Sequence, residues 1–589
     1  MRKRNHVSIT AAALGAAALF GTAYAQVGRG GSEWLTARGD AQRTSWIPTD
    51  ALISVAALSK PGFELQWKTT LENANRGGYG LGQGVTAPGV TLFVPTSIVT
   101  GSSNNIYAID SDTGYLVWQR HFDPPMATVT DVCPGGTTSA ATRIVSIAPP
   151  PITAAEPPGA GRAGQAYRSV LGEPGEGAPV DVRGGGPARG GTAPARAGAA
   201  PGRGSAESPA GQRPTAPAPG RGPAGSASQR GGSGRADSAP TVPGAPADQF
   251  AVSGLGRPPG VVYAVSSDGV LHVMGLMSGK DLQRPAPFVP AKARWSDPIA
   301  VRTTLYTSTS DGCGSAPNAV WAIDLESDSK PVVSWKSGGP IVGALAFTTD
   351  GTLVAAIGPT SGDADGKPNA IVTLDPRTLH VKDWFSPSGT DLVTGPAIFK
   401  HGDREIIAAA TRNGRVLLLD AASLGGASHT AAMADATFRP GTANMAIDAL
   451  ATWQEITMTP PPSSGVSRGT RWILVPTELS VEALRIDERR RAPTLVHGWT
   501  ASTPTRPATP VIVNGVVFVV ETGQAAAGGI GGSAVLHAYE GATGKELWSS
   551  GKTMTAAAAP GSFWSAFGQV YVGTIDGTLY AFGFADERR

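Results

Sequence analysis

The sequence contains few of the residues that metal and haem proteins rely on. Only two cysteines, Cys133 and Cys313, occur in 589 residues, and no C-x-x-C-H motif for covalent haem attachment is present. The eight histidines show neither an H-E-x-x-H nor an H-x-x-x-H arrangement, which would place two zinc ligands on one face of a helix. These absences argue against a cytochrome and against a zinc hydrolase.

Charge and helical periodicity are also weak. The chain is 16% charged with a formal net charge of +3, a small excess that calls for neither a nucleic-acid partner nor an anionic membrane. No sustained heptad or 3.6-residue apolar stripe stands out, whereas glycine (78) and proline (49) are abundant and favour many turns. Because 41% of the residues are hydrophobic, the chain can bury a large core. The composition predicts an all-β globular protein.

An apolar run near the N-terminus predicts export. Basic residues at positions 2–4 precede apolar residues 7–20 and small residues 23–25, which is typical of a secretory signal peptide cleaved after Ala25. A retained membrane helix is the alternative, and it needs roughly 20 apolar residues. No cysteine follows the run, so we expect no lipid anchor. The mature chain, 26–589, is then predicted to be periplasmic or extracellular, with no transmembrane segment.

One short phrase recurs along the chain. Residues 106–118 read IYAIDSDTGYLVW, and residues 536–548 read LHAYEGATGKELW. The later copies are 43 to 67 residues apart, a spacing that suits four short strands with their turns. The eight equivalent positions are Asp110, Gly275, Asp324, Asp375, Asp420, Asp487, Glu540 and Gly583. The repeat predicts an eight-bladed β-propeller of four-stranded antiparallel blades.

The phrase contains a turn and a tryptophan. Asp110 and Thr113 can hydrogen-bond their own backbone and Gly114 can adopt a positive φ, so turn chemistry accounts for these residues without a metal. The tryptophan that ends the phrase, Trp118 in the first copy, is predicted to pack between neighbouring blades.

The last copy leaves too little chain for an outer strand, because the sequence stops a few residues after Gly583. Residues 63–71, FELQWKTTL, look like an orphan outer strand with its own Trp67. Pairing this strand with the last copy would close the ring and remove an exposed sheet edge. We therefore predict that an N-terminal strand completes the last blade.

Two glycine-rich segments interrupt the pattern. Residues 156–249 consist mainly of Gly, Ala, Pro and Arg, with Tyr167 as their only aromatic residue, which predicts a disordered insert. The second repeat resumes at Val262, so the insert lies within blade 2. Its Arg-Gly-Gly groups do not predict a nucleic-acid partner in an exported chain. The other segment, GYGLGQG at 78–84, precedes a strand rather than a helix, so we interpret it as a connection and not as a nucleotide loop.

The pattern A-x-D-x-x-T-G-x-x-x-W, at 108–118 and with glutamate for aspartate at 538–548, resembles the repeat of pyrroloquinoline-quinone (PQQ) dehydrogenases. Residues 33–67 resemble the N-terminal segment of the same dehydrogenases, through Trp34, Gly39, Asp40, Arg43, Ser45, Leu58 and Trp67. The resemblance implies an eight-bladed propeller with a site on its central axis. Non-catalytic propellers share the repeat, including an outer-membrane assembly lipoprotein.

The resemblance also implies candidate site residues. In these dehydrogenases, calcium is bound beside the quinone, and an aspartate accepts the proton of the substrate hydroxyl. Arg412 and Asn413 occupy the positions of a lysine and an asparagine in the family's strand-turn-strand, and so become candidate PQQ contacts. Asp391 is the aspartate left in the shortened loop SGTDL and becomes the candidate base. PQQ and calcium are the implied cofactors, the calcium ligands are not identifiable by motif, and no haem is expected.

Two functions remain open at this point. One is a quinoprotein-type oxidoreductase that binds PQQ or a similar small molecule in the central funnel. The other is a non-enzymatic binding or assembly scaffold with a protein partner in the cell envelope. We expect a monomer in either case. We also predict a Cys133–Cys313 disulfide, because these cysteines lie in turn-like segments of adjacent blades and the compartment is oxidising. Two isolated thiols are the alternative, since the sequence does not give the distance between the two Cα atoms.

Overall fold

The computed structural model describes residues 33–585, except for residues 77, 88–94, 124–132, 134, 138, 149–259, 360–366, 439–448, 459–465, 490–491 and 524–531. The described chain forms eight β-sheets, each of which is one blade. This confirms the predicted eight-bladed propeller. The predicted signal peptide and the predicted insert at 156–249 lie outside the described residues.

In blades 1 to 7 the main strands follow one another in sequence from the inner to the outer edge. Blade 1 contains Val85–Ala87, Thr96–Gly101, Asn105–Asp110 and Leu116–His121; blade 2 contains Val261–Val265, Val270–Gly275 and Ala286–Pro287. Blade 3 contains Ile299–Val301, Thr304–Ser310, Ala319–Asp324 and Val332–Lys336, with Ile144–Val145 and Arg294–Trp295 attached. Blade 4 contains Ala346–Phe347, Leu353–Ile357, Ala370–Leu374 and Val381–Phe385; blade 5 contains Ala397–His401, Arg404–Ala410, Arg415–Asp420 and Ala434–Thr437.

Blade 6 contains Ala451–Met458, Val466–Pro476, Ser480–Arg489 and Ala492–Ser502. Blade 7 contains Val511–Val513, Val516–Glu521, Val535–Glu540 and Glu546–Ser549, with Trp46–Ile47 parallel to its inner strand. Blade 8 contains Ala558–Ala566, Gln569–Thr574, Thr578–Phe584 and the N-terminal strand Phe63–Thr70. The helical elements among the described residues are the α-helix Val55–Leu58 and the 3₁₀ turns Cys313–Ser315 and Gly426–Ser428.

The ring closes as predicted. Phe63–Thr70 pairs antiparallel with Thr578–Phe584, and Phe63 lies opposite Phe584. Both ends of the described chain therefore contribute to blade 8, and the pairing removes the exposed edge that the last strand would otherwise present. Blade 2 is shorter than the four-stranded prediction. It has three strands among the described residues, and Thr142 takes the inner position through a bridge to Tyr263.

The repeated phrase forms the predicted turn. The Thr113 hydroxyl donates to Oδ2 of Asp110 at 2.7 Å, the Gly114 amide donates to the Asp110 carbonyl at 2.8 Å, and Gly114 has a φ of 75°. The tryptophan of one blade then packs on the turn glycine of the next. A Cβ added at Gly279 would lie 2.6 Å from Cε3 of Trp118, and Trp118 Nε1 donates to the Leu276 carbonyl at 2.7 Å. The phrase is thus a joint between blades as well as a hairpin.

The N-terminal segment, residues 34–47, runs around the inside of the ring before it leaves to form the strand of blade 8. Its residues hydrogen-bond in order to blades 1 to 7, through the pairs Trp34–Thr86, Leu35–Arg143, Thr36–Pro298, Ala41–Phe347, Gln42–Ile398, Thr44–Thr452 and Ser45–Ile512. In six of these pairs a backbone amide of the blade donates to a carbonyl of the segment, and in the Thr36–Pro298 pair the Thr36 hydroxyl donates to the Pro298 carbonyl. The segment thus provides partners for backbone groups that would otherwise face the channel. The segment therefore lines the axis of the propeller.

No helix in the described part of the chain is long and apolar enough to span a membrane.

Candidate functional site

A small cavity lies on the N-terminal segment at the end of the ring where the inner strands begin. We call it the floor cavity, and the residues that define it are Arg38, Ser45, Gln83, Asp297, Thr509 and Phe563. Gln83, Asp297 and Thr509 each lie two residues before an inner strand, so blades 1, 3 and 7 bring them to one place. The cavity volume is about 20 Å³, which accommodates one water-sized group. A ligand on the axis could therefore place a single polar group here.

The polar residues of the floor cavity are held by the backbone of the segment itself. Arg38 and Ser45 have φ values of 61° and 56°, a left-handed conformation that non-glycine residues rarely adopt. The Ser45 amide donates to the Arg38 carbonyl at 3.0 Å, and the side chain of Gln83 bridges the Arg38 amide and the Phe563 carbonyl. Strained residues that are fixed in this way are found most often at functional sites.

A buried guanidinium supports the floor cavity. The Arg43 side chain is almost fully buried, and it donates to the Leu345 carbonyl at 2.7 Å and to the Thr36 hydroxyl at 3.1 Å. Burial lowers the pKa of Arg43 to about 10, while the nearby charge of Asp297 opposes that change. Arg43 therefore remains charged at neutral pH, and Asp297 Oδ1 is held in turn by the Ala140 amide at 2.7 Å.

Asp391 and Arg412, the candidate base and a candidate PQQ contact, lie next to each other at this end of blade 5. Arg412 Nε is 3.2 Å from Asp391 Oδ2, and the Arg412 amide donates to the Asp391 carbonyl at 2.8 Å. Both side chains are partly exposed. Asn413 accepts a hydrogen bond from the Thr411 hydroxyl at 2.7 Å and so belongs to the turn. The structure brings the two candidate charged groups together as a surface ion pair.

Cys133 and Cys313 also lie at this end of the ring. The two sulfurs are within bonding contact, and the Cα atoms are 5.7 Å apart, inside the range that a disulfide requires. The bridge links the segment before the inner strand of blade 2 to a turn of blade 3.

No known family model matches the chain, and no curated protein matches its sequence. Solved structures do match. The quinohemoprotein alcohol dehydrogenase from Comamonas testosteroni has a TM-score of 0.50 at 14% identity, over 95% of this chain and 81% of that one. This chain therefore shares the propeller fold of that dehydrogenase. A europium-containing methanol dehydrogenase also matches, with a TM-score of 0.49, 10% identity, and 94% and 98% coverage. BamB from Moraxella catarrhalis matches with a TM-score of 0.35, 12% identity, and 56% and 81% coverage.

The described residues bring few carboxylate ligands for a calcium ion together in one place. They contain no group of three or more Asp, Glu, His or Cys side chains that could hold a metal, whereas calcium takes six to eight oxygen ligands, mostly from carboxylates and carbonyls. Asp391 is already paired with Arg412. The carboxylate-rich calcium site that the resemblance implies is therefore not found among the described residues.

Sequence reasoning missed Gln83, Asp297 and Arg38. None of the three belongs to the repeated phrase. They come together only when the N-terminal segment lies inside the folded ring. The sequence does carry one signal for this site. Gln83 and Asp297 are polar residues two positions before an apolar inner strand, and inner strands line the axis of a propeller.

Proposed function

We propose that this protein is an exported quinoprotein-type propeller that binds a small polar ligand, PQQ or a molecule of similar chemistry, over the floor cavity. The convergence of Arg38, Gln83 and Asp297 from three separate parts of the chain supports the proposal most strongly. A cation, an amide and a carboxylate at one point can orient a ligand through several directed hydrogen bonds. Because the floor cavity is small, most of the ligand would lie outside it, in the central channel.

As an oxidoreductase, the protein would use Asp391 as the base and Arg412 and Asn413 as ligand contacts. Asp391 would first have to separate from Arg412, because a carboxylate in an ion pair is less available to accept a proton. The 3.2 Å contact joins two partly exposed side chains, and such a pair contributes about 0–1 kcal/mol. A ligand carboxylate could therefore replace Asp391 as the ion-pair partner of Arg412 with little loss of free energy.

PQQ binding is the first test. We expect PQQ to raise the melting temperature of the mature protein, because a ligand that binds only the native state stabilises it. Arg38→Met should reduce that shift, whereas Arg377→Met on an exposed turn of blade 4 should not. Dye reduction with a panel of alcohols and sugars then tests for oxidoreductase activity, and Asp391→Asn should lower turnover more than it lowers affinity.

A non-enzymatic scaffold is the second candidate function. The observation in its favour is that Asp391 and Arg412 neutralise each other at the position where the resemblance implies a reactive site. If PQQ gives neither a melting shift nor dye reduction, the proposed ligand is wrong and the scaffold role is favoured.

A further inference from the structure

The two cysteines of the chain connect two loops. Cys133 begins the first loop, 133–140, of which residues 134 and 138 lie outside the described part of the chain, and Cys313 lies in the second loop, 310–315 of blade 3. Cys313 is almost fully buried, whereas Cys133 is partly exposed. A thiol from solution can therefore reach the bridge at Cys133.

The first loop holds the segment 291–297, which carries Asp297 to the floor cavity and which we call the Asp297 segment. The Ala140 amide donates to Oδ1 of Asp297 at 2.7 Å, and the Ser139 hydroxyl accepts from Nε1 of Trp295 at 2.7 Å. Ser139 and Trp295 are both buried. The position of the carboxylate in the floor cavity therefore depends on this loop.

The second loop contacts the same segment. Nη1 of Arg294 is 2.7 Å from Oδ2 of Asp311, and Gly314 packs directly on the backbone of Ala291. The bridge thus ties together the two loops that hold the Asp297 segment.

The backbone of the second loop is strained. Asp311, Gly312, Gly314 and Ser315 have φ values of 66°, 65°, 62° and 62°, and two of these residues are not glycines. Residues with side chains rarely adopt this left-handed conformation, which persists only where the surrounding structure imposes it. Cys313 lies within this run, so the bridge is one of the constraints that keep the loop in this conformation.

We propose that the Cys133–Cys313 bridge is a redox switch for the floor cavity. In the oxidised form the bridge keeps both loops against the Asp297 segment. Reduction to two thiols allows the second loop to leave its left-handed conformation, which loosens the segment and lets the Asp297 carboxylate move. A ligand that needs this carboxylate in a fixed position then binds less tightly. That last consequence rests on the proposed function, whereas the movement of Asp297 does not.

The reductant is a dithiol, either a small molecule or a redox protein with two neighbouring cysteines. One of its thiolates attacks the sulfur of Cys133 to form a mixed disulfide, and Cys313 leaves as a thiolate that takes up a proton. The second thiol of the reductant then displaces Cys133 as a thiol and closes the disulfide of the reductant. Two electrons pass from the dithiol to the bridge, and no other reactant is required.

Hydrogen exchange of the full mature protein tests the switch without a ligand. We expect reduction with dithiothreitol to speed exchange of the Ala140 amide about tenfold, because its acceptor on Asp297 is no longer held in place. The inner strand of blade 7, Val511–Val513, should exchange at an unchanged rate. Thiols that can be labelled before reduction, an unchanged rate at Ala140, or equal acceleration in blade 7 would each overturn the proposal.

The Cys133→Ser/Cys313→Ser variant is the control for dithiothreitol itself. Without the bridge, its Ala140 amide should exchange as quickly as that of the reduced parent, and dithiothreitol should have no further effect. An Ala140 amide that exchanges as slowly in this variant as in the oxidised parent would show that the bridge does not hold the first loop, and the switch would be wrong.

A second variant tests the strained loop while it keeps both cysteines. Ser315→Gly removes the steric cost of a left-handed residue, so it should stabilise the oxidised form and raise the dithiothreitol concentration needed for half reduction about fivefold. Ser329→Gly, on an exposed turn of the same blade, is the matched control and should leave that concentration unchanged. Equal midpoints for Ser315→Gly and the parent would contradict a strained loop as the source of the switch.

PQQ then tests the effect on the floor cavity. If PQQ binds the oxidised protein, we expect about tenfold weaker binding to the reduced protein, and equal affinities would overturn the link between the bridge and the ligand. If PQQ binds neither form, the proposed ligand is wrong, and exchange at Ala140 alone decides whether the switch exists.

Discussion

The indole of Trp67 lies against the turn of the next blade at Gly114. Its Nε1 donates to the Ser111 carbonyl at 3.0 Å, and a Cβ added at Gly114 would lie 2.5 Å from Cε3 of the ring. Trp499 repeats the arrangement at Gly544, with a 2.8 Å hydrogen bond from its Nε1 to the Gly541 carbonyl. The repeated phrase therefore matches a tryptophan of one blade to a glycine of the next.

Trp67→Phe and Gly114→Ala should each destabilise the protein by about 1–3 kcal/mol. The first leaves the Ser111 carbonyl without its donor, and the second places a Cβ where the indole now lies, at a φ of 75°. Thermal or chemical unfolding measures the loss. Trp335→Phe is the comparison, because Leu379 replaces the glycine in the turn of the following blade. A loss at Trp335 as large as that at Trp67 would contradict the glycine-dependent joint.

Arg43→Met should destabilise the protein by about 3–5 kcal/mol, because it leaves buried carbonyl groups of the N-terminal segment and blade 4 without donors. The exposed Arg377→Met should change stability by less than about 0.5 kcal/mol. Unfolding curves of both variants provide the measurement. Similar curves for the two would show that Arg43 does not support the channel lining.

His537 should make the stability of blade 7 depend on pH. Burial alone lowers the pKa of His537, but contacts with Glu521 at 3.2 Å and Glu546 at 2.7 Å outweigh burial and raise it. The protonated form is then favoured in the folded state. This stabilisation is complete below the ordinary histidine pKa of about 6.5 and is lost as the pH rises through the raised value.

His537→Gln should therefore cost more stability near about pH 6 than near about pH 9. Unfolding of parent and variant at both pH values tests the sign, and NMR titration of His537 checks the pKa directly. An equal cost at both pH values would show that the two carboxylates do not favour the protonated imidazole.

The Cys133–Cys313 disulfide should stabilise the protein by about 2–5 kcal/mol, because it would close a long loop in the unfolded chain. The cysteines are separated by 180 residues. Peptide mapping without reductant should recover the joined peptides from exported protein, and the Cys133→Ser/Cys313→Ser variant should melt at a lower temperature. Quantitative labelling of both thiols before reduction would contradict the predicted bridge.

The repeat made the blades predictable, because Asp110, Thr113 and Gly114 specify a turn through local chemistry alone. The closing strand was predictable for a similar reason, since Trp67 ends an orphan copy of the same phrase. The floor cavity was not predictable in this way. Arg38 and Asp297 are 259 residues apart, and they meet only because the N-terminal segment enters the ring. The Asp391–Arg412 ion pair likewise joins two loops whose proximity depends on the register of blade 5.

The position of residues 34–47 inside the ring also affects the order of assembly. A ribosome makes these residues before the blades that they contact, yet their hydrogen-bond partners are spread along the chain as far as Ile512. The strand that follows them pairs with Thr578–Phe584, which is synthesised later still. The backbone hydrogen bonds of this segment can therefore be completed only after the later blades have been made. A premature stop before Thr578 would leave Phe63–Thr70 unpaired and expose the hydrophobic face of an orphan strand, so such a fragment should be a target for chaperones and proteases.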